Sequence, residues 1–201
     1  MFDTKVTYEI YSVDGTPKVE VVAEENSIRH AELMKEDYVK LSFTLHNEVF
    51  LGMGDYIDTD WGRFEITQLQ KPSYDTDTKG YNYDIQFNAP YFKWTNKLYK
   101  FEPKINRNEA TWSLTDTLAN HLAVLKRNLD AYGWKYDIII NNDVTSKDEV
   151  IYIQFDNIFI FDAVTKIAEA FDTEWRVSGD KIIFGRVESG ESFDLQISDN
   201  V

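Results

Sequence analysis

Cysteine is absent from this chain of 201 residues. That excludes disulfides, thiolate metal ligands and cysteine nucleophiles outright. Histidine is scarce: His30, His46 and His121 are dispersed, none lies four residues from another, and no His-Glu-x-x-His pattern occurs. A zinc site written in the sequence is thereby excluded. Positive charge is in deficit, with 21 Lys and Arg against 35 Asp and Glu and a net charge of −14. Such a surface repels phosphate and argues against tight, sequence-independent binding of nucleic acid. No run approaches the ~18 apolar residues of a membrane span. Met1-Phe2-Asp3-Thr4-Lys5 lacks the basic and apolar regions of a signal peptide, so the expectation is a soluble product of a cytoplasm. Nucleophile elbows, Gly-rich phosphate loops, dinucleotide fingerprints, internal repeats and low-complexity tracts are also missing.

What is present is a foldable, aromatic-rich chain. Hydrophobic residues make up 43%, and 13 Phe, 12 Tyr and 5 Trp suit pleated, half-buried surfaces. The texture changes near Phe101. Before it, strand follows strand with turn punctuation; after it come two amphipathic helices separated and followed by short strands.

Residues 5–12 and 18–23 flank Asp14-Gly15 as the arms of a hairpin. Residues 27–35 read as two turns of helix, capped by Ser27 with Ile28, Ala31 and either Leu33 or Met34 as its stripe. Val39, Leu41, Phe43 and Leu45 then alternate with polar residues, as do Tyr81, Tyr83, Ile85, Phe87 and Ala89, so both stretches are strands. Gly52 and Gly54 mark a bulge or tight corner, and strands at Tyr56-Ile57 and Arg63–Leu69 enclose an acidic turn. Short strands at hairpin spacing predict a small barrel or sandwich.

Phe101 to Asn108 has no periodicity and reads as a linker. Ser113-Leu-Thr-Asp116 resembles a capping box opening a helix on Leu114, Leu118, Leu122, Leu125 and Leu129, which Gly133 ends. Strands follow near 135–140 and 150–155, then a helix over 161–172, then a hairpin turning at Gly179-Asp180. Phe193, Leu195 and Ile197 begin another alternating strand, which suggests the N-terminal piece of a longer protein.

Candidate chemistry is thin. Asp55, Asp58 and Asp60 are possible hard-cation ligands, against the reading of a solvated acidic turn. Asp75 to Gly80 begins like a calcium loop but places Lys79 at a ligand position and Gln86 where a bidentate Glu belongs. His121 reads as a surface or flanking residue of its helix, not a base. A carboxylate pair for glycoside hydrolysis needs no local motif and stays open. Tyr91, Phe92, Trp94, Tyr99 and Phe101 form either a sugar or partner platform or the packing at the junction of the two modules. Trp112, Trp134 and Trp175 flank predicted elements, where anchoring a helix on a sheet is the ordinary role.

The stretch His30-Ala-Glu-Leu-Met-Lys-Glu-Asp-Tyr-Val-Lys-Leu-Ser-Phe43, with Gly54-Asp-Tyr-Ile57 and Gly62-Arg-Phe-Glu-Ile66, resembles the first domain of bacteriophage tail hub proteins. These include the tail-associated proteins of long-tailed phages and the baseplate hubs of contractile phages. Phe161-Asp-Ala-Val-Thr-Lys-Ile-Ala-Glu-Ala-Phe-Asp-Thr-Glu-Trp175 and Arg176 to Arg186 resemble the small α+β insert of the same proteins. The resemblance implies an α+β chain: an antiparallel, tail-tube-like β-barrel or sandwich over 1–102, an α+β insert with two helices over 103–187, and the start of a further β-domain over 188–201. It also implies a homotrimeric hub ring at the distal end of a virion tail, contacting distal tail proteins and tip or fibre proteins. DNA would pass without specific binding, which an acidic lumen suits. It implies no catalytic, metal-binding or cofactor-binding residue, no cofactor and no membrane insertion. On the residues alone, a carbohydrate- or surface-binding β-module and an acid/base glycoside hydrolase remain the alternatives.

Overall fold

The computed structural model describes residues 6–103 and 110–186. The predicted linker lies partly outside these residues, and the alternating stretch at Phe193–Ile197 lies wholly outside them. The first half builds one antiparallel sheet of eight strands: β1 (Thr7–Tyr11), β2 (Pro17–Val22), β3 (Ile28–Ala31), β4 (Asp37–Leu45), β5 (Tyr56–Thr59), β6 (Gly62–Ile66), β7 (Ser73–Asp75) and β8 (Gly80–Asn88). Their order is β2-β1-β5-β6-β8-β4-β3, with β7 beside β8. The sheet curls until its ends meet. Just past β2, the Glu24 N–H donates to the Ser42 carbonyl of β4 at 2.9 Å. Residues 17–31 therefore act as one bent strand, whose first half pairs with β1 and whose second half pairs with β4.

Inward residues of the alternating strands form the first core: Ile10, Val21, Val39, Leu41, Phe43, Ile57, Phe64, Ile85 and Phe87 are all buried. Phe43 and Tyr83 stack across β4 and β8 at 4.8 Å, directly opposite one another in the register, where paired aromatics add to sheet stability.

The expected helix over 27–35 is instead β3 and a turn. Ser27 does not cap a helix; its hydroxyl donates to the Ser42 carbonyl and accepts from the Ser42 N–H. Ile28 to Ala31 pair with Lys40 to Asp37, and Met34, at φ 60°, turns the chain back. Ile28 and Leu33, both candidates for that stripe, stay exposed. Pairing with an available neighbour outweighed local propensity.

A 3-10 helix (Pro90–Asn96) leads into the second half. There β9 (Thr111–Asp116), α1 (Leu118–Ala131), β10 (Asp137–Ile140), β11 (Ile151–Asp156), α2 (Ile160–Ala170), β12 (Trp175–Ser178) and β13 (Lys181–Phe184) follow. β9 pairs with β11, and β13 lies between β10 and β12, parallel to the first and antiparallel to the second. The Ser113-to-Asp116 stretch, expected to open a helix, is strand β9. All six of its residues pair with Ile151–Asp156, and Leu114 belongs to the strand. The helix starts one turn later, where the Asp116 carboxylate accepts from the Thr117 N–H and from Asn120. Those two bonds hold its pKa below the usual carboxylate value, Asn120 contributing most.

The second core gathers Leu118, Leu122, Leu125 and Leu129 of α1, Ala163, Val164, Ile167 and Ala168 of α2, and Phe155, Trp175, Ile182 and Phe184 of the strands. Gly185 closes this unit with φ 150°. A Cβ there would stand 2.6 Å from the Asn141 Cβ and 2.9 Å from the Asp143 Oδ1. Gly185→Ala is expected to cost about 1–3 kcal/mol, read as a lower urea midpoint without a change in slope.

Candidate functional site

Two places gather unusual side chains: the junction of the two cores, and a groove at the bend of residues 17–31. At the junction, Trp94 and Tyr99 are fully buried in the second core although they follow β8 directly. Tyr91 packs against both cores. Its ring lies 5.7 Å from Trp94, 5.7 Å from Trp175 and 6.3 Å from Phe161. Backbone bonds reinforce the contact: the Tyr99 N–H donates to the Ile158 carbonyl and the Ile160 N–H to the Lys97 carbonyl. The Trp175 indole N–H donates to the Thr165 hydroxyl at 3.1 Å, which donates to the Met34 carbonyl at 3.4 Å. Burial raises the phenol pKa values of Tyr91 and Tyr99. The buried Trp94 and Tyr99 rings cannot offer a flat face to a sugar and are junction packing, whereas Phe101 is exposed and rests on Trp112 at 5.2 Å. Trp175 has the expected anchoring role, tying β12 to α2.

Asp55, Asp58 and Asp60 do not converge on one point. Asp55 is buried and accepts from the Lys18 ammonium at 2.6 Å and the Gly52 N–H at 2.6 Å. Asp58 forks onto Arg63 at 2.9 and 3.1 Å, and that guanidinium stacks 3.7 Å from the Tyr56 ring. Asp75 accepts from the Asp77 N–H at 2.8 Å in a turn. Among the described residues, no group of three His, Asp or Glu side chains is placed to hold a metal.

His121 corrects the expectation of a flanking position. It is fully buried in the second core, with rings of Phe171 and Phe155 at 5.6 and 6.4 Å. Its Nε2 donates to the Ile151 carbonyl at 3.2 Å, whereas Nδ1 has no hydrogen-bond partner among the described residues. Burial pushes its pKa below the ordinary value, against a smaller opposing pull from the Ile151 carbonyl and Asp116. A lowered folded pKa means the unfolded chain takes up the proton first as pH falls. Stability is therefore full above about pH 6.5, the ordinary histidine value, and declines below it. In His121→Phe that decline is expected to be shallower, as urea midpoints between pH 7.5 and 5 would show.

The groove has a volume of about 770 Å³ and is floored by Val39 and Leu41. Glu20, Glu24 and Glu25 stand on its rim, Arg29 is the one cation among the described residues lining it, and Trp61, exposed by 59%, borders it. Arg29 is engaged by Asp37 and lies 5.5 Å from the Trp61 ring. Sequence reasoning passed over this place. The residues come from four separate segments, and Trp61 read only as part of an acidic turn.

The comparisons give the architecture a context. No protein-family model matches the sequence, and no curated protein does. Solved structures do: prophage tail protein gp18 from Listeria monocytogenes EGD-e, at a TM-score of 0.60 and 9% identity over 90% of this chain and 50% of that one. The 43 kDa tail protein of prophage MuSo2 from Shewanella oneidensis matches at 0.59 and 12% identity, over 91% of this chain and 53% of that one. A tail protein from Neisseria meningitidis MC58 matches at 0.56 and 10% identity, over 92% and 52%. The chain has the fold of prophage tail proteins. It spans about half the length of these tail proteins, and at such identities the likeness is one of fold. Among the described residues no helix is long and apolar enough to cross a membrane.

Proposed function

We propose that the chain is a structural part of a phage or prophage tail and works by assembly, without a catalytic step. The observation that carries this reading is the shared fold with three proteins named as tail proteins, over at least nine-tenths of the chain in each case. The finer reading is a trimeric hub ring at the distal end of the tail tube, with the curled sheet in the ring wall and the α+β unit set outside it. Burial of apolar surface between copies drives such closure. Distal tail and tip proteins are then the partners, and the virion tail is the site of residence.

The test is the full-length gene product, examined by light scattering and electron microscopy. The expected result is a trimer with a central opening. A full-length protein that assembles without ring geometry overturns the hub reading. Antibodies raised against the chain are expected to label the tips of purified tail particles; particles that carry no label overturn the tail reading itself.

A further inference from the structure

The bend at residues 23–27 leaves part of β2 without a neighbour among the described residues. Among the described residues β2 is an end strand and pairs only with β1. The Ala23 N–H donates to the Val6 carbonyl, so by antiparallel alternation Ala23, Val21 and Val19 direct their backbone groups to β1. Glu24, Val22 and Glu20 direct theirs the opposite way. Glu24 confirms the alternation, because its N–H reaches the Ser42 carbonyl of β4. Two residues before it the strands have parted, and Val22 and Glu20 pair with no described strand on that side. An edge of this kind beside an apolar floor is a template for another strand.

The geometry points to this groove as a docking site for an extended segment of a protein partner, a strand of alternating apolar and basic residues that pairs with the outer edge of β2. Charge complementarity selects the occupant. The described lining carries Glu20, Glu24 and Glu25 against the single cation Arg29, and Arg29 is already engaged by Asp37. A second copy of a chain with net charge −14 is a poor match for such a rim. Backbone bonds to Val22 and Glu20 supply register; Lys or Arg at alternate positions meets the carboxylates. This docking goes beyond a tail role and needs no ring.

The probe is a nine-residue peptide of alternating valine and lysine, added to the whole chain. Binding is followed by Trp61-dependent fluorescence and by backbone amide exchange. The expected result is at least tenfold slower exchange at Val22 and Glu20 when the peptide is present. A peptide of the same charge, interrupted by prolines so that it cannot pair, is expected to bind at least tenfold more weakly. Val22→Pro removes an outward N–H without touching the bonds to β1, a position where a strand tolerates proline. It is expected to weaken binding at least tenfold while leaving the circular dichroism unchanged. Glu20→Lys with Glu25→Lys, a second route should the proline disturb folding, is expected to shift preference toward a valine–glutamate peptide. Equal binding of the proline-interrupted peptide, protection confined to other strands, or slow exchange at Val22 and Glu20 without peptide each overturn the proposal. The last result would mean that the chain's own residues or a second copy already cover the edge.

Discussion

Trp94→Ala is expected to lower the unfolding free energy by about 3–5 kcal/mol, the range for emptying a buried indole site. Trp94 is fully buried, and its ring meets Tyr136 at 5.3 Å, Tyr91 at 5.7 Å and Trp175 at 6.0 Å. Three aromatic neighbours cannot collapse into the void without leaving their own contacts, which places the cost toward the upper end. The indole N–H is buried and has no hydrogen-bond partner among the described residues, so part of the native energy is already lost there. Trp94→Phe removes that orphan along with some volume and is expected to cost less, about 1–2 kcal/mol. Urea unfolding followed by circular dichroism measures both. If alanine proved no worse than phenylalanine, the ring would not be the centre of the junction.

Lys18→Met is expected to cost about 2–3 kcal/mol. Removing one member of a buried ion pair strands the other. Here the Asp55 side chain is 4% exposed and Lys18 25%, so water reaches the ammonium and moderates the loss. With methionine in place, the Asp55 carboxylate keeps only the Gly52 N–H at 2.6 Å. The loop also loses the bond from Lys18 to the Phe50 carbonyl at 3.3 Å. The double variant Lys18→Met, Asp55→Leu is expected to recover more than half of the loss, because no charge is left buried. A double-mutant cycle with a coupling energy near zero would show that the pair does not hold the loop.

The sequence made some of this plain. β4 and β8 were legible because one face is buried and the other wet, which writes a period of two into the residues. The middle of α1 was legible from leucines at helical spacing. The two errors share a cause. Ser27 and Ser113 both precede apolar residues and an acidic residue, the local signature of a helix start, yet each lies beside a strand to which it pairs. Nothing within ten residues of Ser27 announces Ser42, and nothing near Ser113 announces Gln154. His121 misled for a similar reason. Its polarity suggested a rim, whereas the Ile151 carbonyl 30 residues away makes a buried position tolerable. The groove was least legible of all, since it exists only where a bent strand changes partners. Docking there would depend on backbone direction at Val22, which no side chain encodes.

Every described strand of the curled sheet lies between Thr7 and Asn88, whereas the buried residues of the second core run from Trp94 to Phe184. Among the described residues the two are therefore consecutive along the chain, and no strand of the first comes from the second. On a ribosome, where N-terminal units fold first, the sheet can close around its own core before α2 has left the exit tunnel. Trp94 and Tyr99 would then wait on the emerging chain as apolar residues without a home. The interval between their synthesis and that of Trp175 is when the nascent protein is most exposed to aggregation, and slowing translation there should lengthen the hazard.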